Sequence, residues 1–142
     1  MPMTRTKKMD LLRRVDLFAE VSGRALGQIA DATVEIEAPA GRYIVRQGQV
    51  GTGFYLIATG RVKVVRGGEV LARLGPGEFF GELSVIDQSP RLAHVVVEEP
   101  TVCLGLASWD FTRLIERNPK IALSVLRLMA RRLREVTDHP RY

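Results

Sequence analysis

Apolar residues along the chain change their period twice, and the changes mark three stretches. From 7 to 31 they recur at helical spacing. Met9, Leu11, Leu12, Val15 and Phe18 fall on one face, and Ser22 is placed to cap a second short helix carrying Leu26 and Ile29. From Thr33 to Ala107 the helical period gives way to short runs rich in Val, Ile, Tyr and Phe: TVEIEA, YIVRQ, FYLIA, RVKVV, EVLARL, AHVVVE and TVCLGLA. The turn signals PAG, QVGTG, RGG and LGPG separate them, and the pattern predicts an antiparallel β sandwich or barrel. Arg66-Gly67-Gly68-Glu69 predicts a tight hairpin, because glycine accepts the positive φ that primed turns require.

After Ala107 the helical period returns. Ser108 is placed to cap a helix with Trp109, Phe111, Leu114 and Ile115, which stops near Asn118-Pro119 because the residue before proline resists helical geometry. A last helix then runs from about Pro119 to Thr137. Ala122, Val125, Leu126, Met129, Leu133 and Val136 follow its 3,4 spacing, and Ile121, Leu123 and Leu128 widen the apolar surface. One small barrel does not easily cover that much. The excess packs either on the N-terminal helices or on the same helix of a second copy, and the pattern leaves both open. The 142 residues fit a single domain, 1–142: helices over 7–31, a β-barrel over 33–107, and a hinge and C-terminal helix over 108–137.

Composition narrows the class. With 46% hydrophobic and 26% charged residues the chain reads as an ordinary globular protein. No apolar run approaches the roughly 20 residues of a membrane helix. The basic start MPMTRTKKMD lacks an apolar signal core, so a cytoplasmic chain with no membrane contact is expected. The one cysteine, Cys103, excludes an internal disulfide and sits in TVCLGLA as a buried strand thiol would. The net charge of +5 raises nucleic acid as a partner, but the charge is spread out, with one basic group over 5–14 and another over 127–134. Solvated helix faces account for them better than a phosphate-tracking patch does, because clustered charge alone is a weak motif.

Enzymatic apparatus is not visible. A barrel of this size suits metal chemistry of the cupin kind, which needs several His and carboxylate ligands, yet the only histidines are His94 and His139, far apart. There is no Walker loop, no G-x-S-x-G elbow and no Cys-His pairing, so no catalytic residue, metal or cofactor is expected. What stands out is GEFFGELSVIDQSPRLAHV, 77–95. Gly81 to Asp87 reads as a turn or two of helix whose free N–H groups form an anion site, with Phe79 and Phe80 as an apolar wall. Nine residues after Glu82, the turn Gln88-Ser89-Pro90 delivers Arg91, a planar fork able to pair two phosphate oxygens. Glu82 can accept from a sugar hydroxyl while pairing with Arg91. On local chemistry alone a first-turn dipole carboxylate and an exposed turn arginine explain the two residues equally well.

The stretch FGELSVIDQSPRLAHV resembles the phosphate-binding cassette of cyclic nucleotide-binding domains, F-G-E-L-A/S, a short helix, then P-R-A/S/T-A-S/T-V. QGQVGTGFYLIATGRVKVV upstream resembles that family's strand-turn-strand, and RNPKIALSVLRLMARRLREV downstream resembles its hinge and C-helix, so the likeness spans about residues 10 to 137. It implies a jelly-roll barrel with N-terminal helices and a C-terminal helix pair, the cassette lying at 80–95. It implies a cyclic nucleotide sensor, with Glu82 on the ribose 2′-hydroxyl and Arg91 on the cyclic phosphate. Backbone amides near Gly81, Leu83, Leu92 and Ala93 would complete the cradle. Val64, Ala72 and Phe80 would line the ribose and base, and Val136 or Thr137 on the C-helix would close over the base. Leu92 stands where the family has Ala, Ser or Thr, and His94 where Ser or Thr is common. Leu92 lacks the hydroxyl that helps read guanine in cGMP-selective members, which favours cAMP, with cGMP the other nucleotide to consider.

Three outcomes follow. The first is a cAMP-binding regulatory module coupled to C-helix closure, with a homodimer through that helix and an effector the sequence does not identify. The second is a ligand-free barrel that acts as an interaction or dimerisation module. The third is a fragment of a transcription regulator of the catabolite-activator type. The sequence ends at Tyr142, five residues past Thr137, and shows no helix-turn-helix after the C-helix, which argues against direct DNA readout.

Overall fold

The computed structural model describes residues 2–50, 53–81 and 89–138, with side chains to residue 135 in the last segment. The element order is α1 (Arg5–Arg13), a 3₁₀ turn (Asp16–Phe18), α2 (Gly23–Ala32), β1 (Val34–Ala38), β2 (Tyr43–Val45), β3 (Gly53–Arg66), β4 (Glu69–Leu74), β5 (Phe79–Phe80), β6 (His94–Ala107), α3 (Ser108–Arg117) and α4 (Pro119–Asp138). Among the described residues no helix is long and apolar enough to cross a membrane.

Ser22 caps α2, its hydroxyl accepting from the Ala25 N–H at 3.2 Å. The expected cap at Ser108 is displaced by one residue. Ala107 holds the extended cap position and Ser108 is the first helical residue, with no side-chain cap bond. Asp110 in the first turn supplies the favourable charge instead. The helix stops at Asn118, whose N–H and Nδ2 both donate to the Leu114 carbonyl, at 2.9 and 3.1 Å.

All strand pairs are antiparallel, in the order β1-β6-β3-β4, with β2 on β6 and β5 on β3. Two pairs of expected strands are each one continuous strand. FYLIA and RVKVV lie together in β3, and AHVVVE and TVCLGLA in β6. The intervening Thr59-Gly60 and Glu99-Pro100 bend the ladder without ending it. Register shifts fall between Ile57 and Val62, and Gly60 holds φ 95° where a Cβ would strike the Pro100 carbonyl and the Thr101 hydroxyl. The hairpin at Gly67-Gly68 forms as expected, with φ 60° and 80°.

The sheet is an antiparallel one with flanking helices, and its ladder is not closed. β3 and β6 serve two separate cores. Phe54, Leu56, Leu104 and Leu106 join the helices through Phe18, Leu26, Phe111 and Ile121. Ile57, Val62, Val95, Val97 and Cys103 instead meet Ala38, Val45 and Phe80 on the other side, with Val64 and Leu74 packed against them. The first core is aromatic at its centre: Phe111 stacks on Phe54 at 5.6 Å with planes 2° apart, and Phe18 meets Phe54 edge-on at 6.2 Å.

On α4 the buried stripe is rotated from the expected one. Ile121, Ser124 and Val125 are buried and Leu128, Met129 and Arg132 half-buried, whereas Leu126 and Leu133 are 66% and 68% exposed. The N-terminal 3₁₀ turn sets this rotation, since α4 lies against it. Arg127 reaches Glu20 at 3.4 Å and Arg131 reaches Asp16 at 3.7 Å. Both pairs are exposed and hold little energy.

Candidate functional site

The cavity at the second core is where the chain's chemistry collects. Its volume is about 290 Å³, and Val45, Val64, Leu74, Phe80 and Val95 give it an apolar wall. Each wall residue sits on a strand that also feeds the core behind it, so the hollow is the mouth of that core.

β5 is the short lip of the cavity. Phe80 pairs with Tyr55 on β3 and stacks on its ring at 5.1 Å, which fixes the chain as it enters Gly81. Gly81 then turns at φ 95°, a conformation that L side chains avoid. A Cβ there would lie 2.7 Å from both Arg91 Nη1 and the Gly53 carbonyl oxygen. Glycine is therefore required twice over, for the turn and for the closeness of the arginine.

Arg91 is only 7% exposed. Its Nη1 donates to the Gly81 carbonyl at 3.0 Å and its Nη2 to the Gly53 carbonyl at 2.7 Å. The backbone of Arg91 is held as firmly as its side chain. Its N–H donates to the Gln49 carbonyl at 2.8 Å, its own carbonyl accepts from the Gly48 N–H at 2.9 Å, and Pro90 bridges to Val50. A guanidinium taken this far from water is costly unless its donors are met, and a planar fork aimed at a cavity is suited to a bidentate anion.

The structure brings Phe80, Gly81, Arg91, Leu92, Ala93 and Val64 to this one cavity. Leu92 stands at its rim with 64% of its surface exposed, so its bulk leans outward. Ala72 pairs with Val64 across the β3–β4 ladder but is exposed and does not line the cavity. β4 is exposed over most of its length, and only Leu74 turns back to the cavity. Glu82 and Leu83, with the short helix expected after Gly81, lie outside the described residues. Val136 and Thr137 belong to α4, and their side chains also lie outside what is described.

Four lining residues were not legible beforehand: Val45, Leu74 and Val95 on the strands, and Arg132 on α4. Arg132 reaches the cavity from α4, one turn before the expected lid positions. In the sequence it belongs to a basic cluster that reads as a solvated face. Its signal was the register: Arg132 follows Ile121, Val125 and Leu128 on one stripe, seven residues beyond Val125.

Comparison with known proteins agrees with this geometry. The family "Cyclic nucleotide-binding domain" matches residues 35–118, from β1 through α3. The Cyclic AMP receptor protein of Thermus thermophilus is 45% identical over 102 residues, covering 68% of this chain and 47% of that protein. The cGMP-dependent protein kinase, isozyme 1, of Drosophila melanogaster is 37% identical over 116 residues, 75% of this chain and 15% of the kinase. Among solved structures, the Thermus thermophilus Catabolite Activator Protein superposes with a TM-score of 0.79 at 38% identity, covering 86% of this chain and 60% of that one. The chain thus spans about half the length of the receptor protein it matches. It belongs to the cyclic nucleotide-binding domain family.

Proposed function

We propose that the chain is a regulatory module that binds cAMP in the cavity beside Arg91 and does no chemistry on it. One observation carries this: a nearly buried guanidinium on the wall of a hollow whose strand residues are apolar. Two of the bonds it makes go to neutral carbonyls, those of Gly81 and Gly53. A cyclic phosphate would offer two oxygens that share one negative charge, a bidentate ion pair that matches the planar fork. The apolar wall suits a ribose and base. At about 290 Å³ the hollow is at the small end of ligand sites, which run roughly from 300 to 1,000 Å³.

In this reading Arg91 takes the phosphate, and the amides near Gly81, Leu83, Leu92 and Ala93 complete the cradle. Glu82 accepts from the ribose 2′-hydroxyl. Val64 and Phe80 contact ribose and base. Ala72, exposed on β4, has the weakest structural support for such a contact. The absence of a hydroxyl at Leu92 and the likeness to a cyclic AMP receptor protein favour cAMP over cGMP. The outward lean of Leu92 supports an open pocket over a plugged, ligand-free barrel.

The signal would leave through α4. Arg132 already lines the cavity from this helix, and Val136 and Thr137 lie one turn further on. Ligand draws the helix inward only so far as it binds the closed state more tightly than the open one. The exposed Leu123, Leu126 and Leu133 give the same helix an apolar face for a second copy, so closure and pairing would be coupled. Which effector reads the result, kinase or transcription machinery, is a property of the wider assembly.

Calorimetric titration with cAMP, cGMP and AMP tests the reading. cAMP is expected to bind most tightly, and Arg91→Ala to lose about 2–5 kcal/mol of that affinity, as removal of a buried charge partner does. An Arg91→Ala protein that binds cAMP as well as the parent sinks the site assignment. No binding of any nucleotide at millimolar concentration favours the interaction module.

A further inference from the structure

We propose that His94 is a positioning residue for Arg91, acting through the loop 46–50; this rests on the reading of the cavity as a cAMP site. His94 opens β6, three residues after the arginine, and its Nδ1 accepts the Gln47 N–H at 3.0 Å. The proton of the neutral ring therefore sits on Nε2. The next residues of that loop grip Arg91 from both sides, Gly48 donating to its carbonyl and Gln49 accepting from its N–H. The chain thus forms a closed circuit: Arg91 to His94 along the backbone, His94 to Gln47 through the imidazole, and Gly48 and Gln49 back to Arg91.

The geometry makes the acceptor the working part of the side chain. Gly48, at φ 86°, lets the loop turn so that its N–H groups face the cassette strand. Strand pairing beyond this point is carried by β6 with β2 and β3, whereas among the described residues the loop 46–50 is tied to the cassette strand by the bonds to Arg91, the Val50–Pro90 bridge and the imidazole. The imidazole is itself fixed. It meets the Tyr43 ring edge-on at 5.2 Å, and the Arg46 guanidinium lies 4.5 Å from the centre of that same ring. Serine or threonine at position 94 would place a hydroxyl one atom from Cβ, too short to make the same span to the Gln47 amide.

Two substitutions separate positioning from packing. His94→Phe keeps a flat ring against Tyr43 and removes the acceptor. His94→Asn removes the ring but places Oδ1 where Nδ1 stands. The proposal expects His94→Phe to weaken cAMP binding by about fivefold, the scale of one net hydrogen bond, and His94→Asn to stay within about twofold of the parent. In the Arg91→Ala background, His94→Phe is expected to have no further effect, since the two act as one unit. A ligand-free measurement runs alongside: amide hydrogen exchange at Arg91 and Gly48 speeds up in His94→Phe and not in His94→Asn.

The reverse pattern, with Phe retaining affinity and protection and Asn losing them, assigns His94 to packing and overturns the proposal. Additive losses in the double variant overturn it too. If the parent protein itself binds no cAMP, the functional reading fails, and the exchange rates alone decide whether the imidazole holds the loop.

Discussion

The two cores share β3 and β6 and differ in what closes them. On one side the strands are sealed by five helical elements: Phe18, Ile29, Phe54, Phe111 and Ile121 have essentially no exposed surface, and no charged side chain lies among them. On the other side, among the described residues, the strands pack mainly on one another, and Arg132 of α4 reaches over the opening. Their core opens into a cavity, its mouth residues Val45 and Phe80 are each 7% exposed, and a buried arginine stands on the wall. The same strand pattern therefore does two jobs. The helix-backed half supplies the stability that allows the other half to remain hollow and to keep a cation out of water.

The largest test breaks the sealed side. Phe111→Ala removes one ring of the Phe54 stack from a fully buried site and should lower unfolding free energy by about 3–5 kcal/mol, read by urea denaturation. For a domain whose whole stability is on the order of 5–15 kcal/mol this approaches unfolding, so Phe111→Leu is the milder companion for binding work. In that companion cAMP affinity should stay within about twofold, because distant sites add independently. A large loss of affinity would mean the two cores are one mechanical unit, and the division between support and site would fall.

This division was only half legible in the sequence. Runs rich in Val, Ile, Tyr and Phe located the strands, and turn chemistry placed the Gly67-Gly68 hairpin and the Ser22 cap, because these depend on neighbours a few residues away. They did not tell which of two cores a strand residue faces. Val45, Leu74 and Val95 reach the cavity through the bend of β3 and β6 at Gly60 and Pro100, a property of paired strands that neither strand shows alone. The site divides in the same way. Gly81 and Arg91 were visible as a local motif, but the Gly53 carbonyl that holds Arg91 is 38 residues away. Arg132 was hidden because a charged residue on an apolar stripe looks, by composition, like any other in a basic helix.

A smaller test asks how dry the closed end of the cavity-side core is. Cys103 belongs to that core and is 1% exposed, and burial pushes its thiol up to about 11 from an ordinary 9.0. Between those values the folded chain keeps the proton and the unfolded chain gives it up. The contribution is thus fully present below pH 9 and is lost as pH rises through about 11. Its size is on the order of 2 kcal/mol. Unfolding free energies of the parent and Cys103→Ala, compared between pH 8 and pH 11, should converge by about that amount as pH rises. Parallel curves would show that water reaches the thiol and that the cavity extends to the bottom of its core.

The smallest test sharpens the open side at its rim. Leu92 is 64% exposed, so Leu92→Ser should change stability by less than about 0.5 kcal/mol. Its effect is expected in selectivity. A serine at the rim restores a hydroxyl beside the phosphate, where it can accept from an amino group that guanine carries and adenine does not. One added hydrogen bond, about 1 kcal/mol net, corresponds to roughly a fivefold shift of the cGMP-to-cAMP affinity ratio toward cGMP. Competition titration of both nucleotides against one fluorescent analogue reads it directly. An unchanged ratio would place nucleotide choice on α4, where Arg132 faces the same cavity, and would transfer the specificity of the open side from the strands to the helix that closes it.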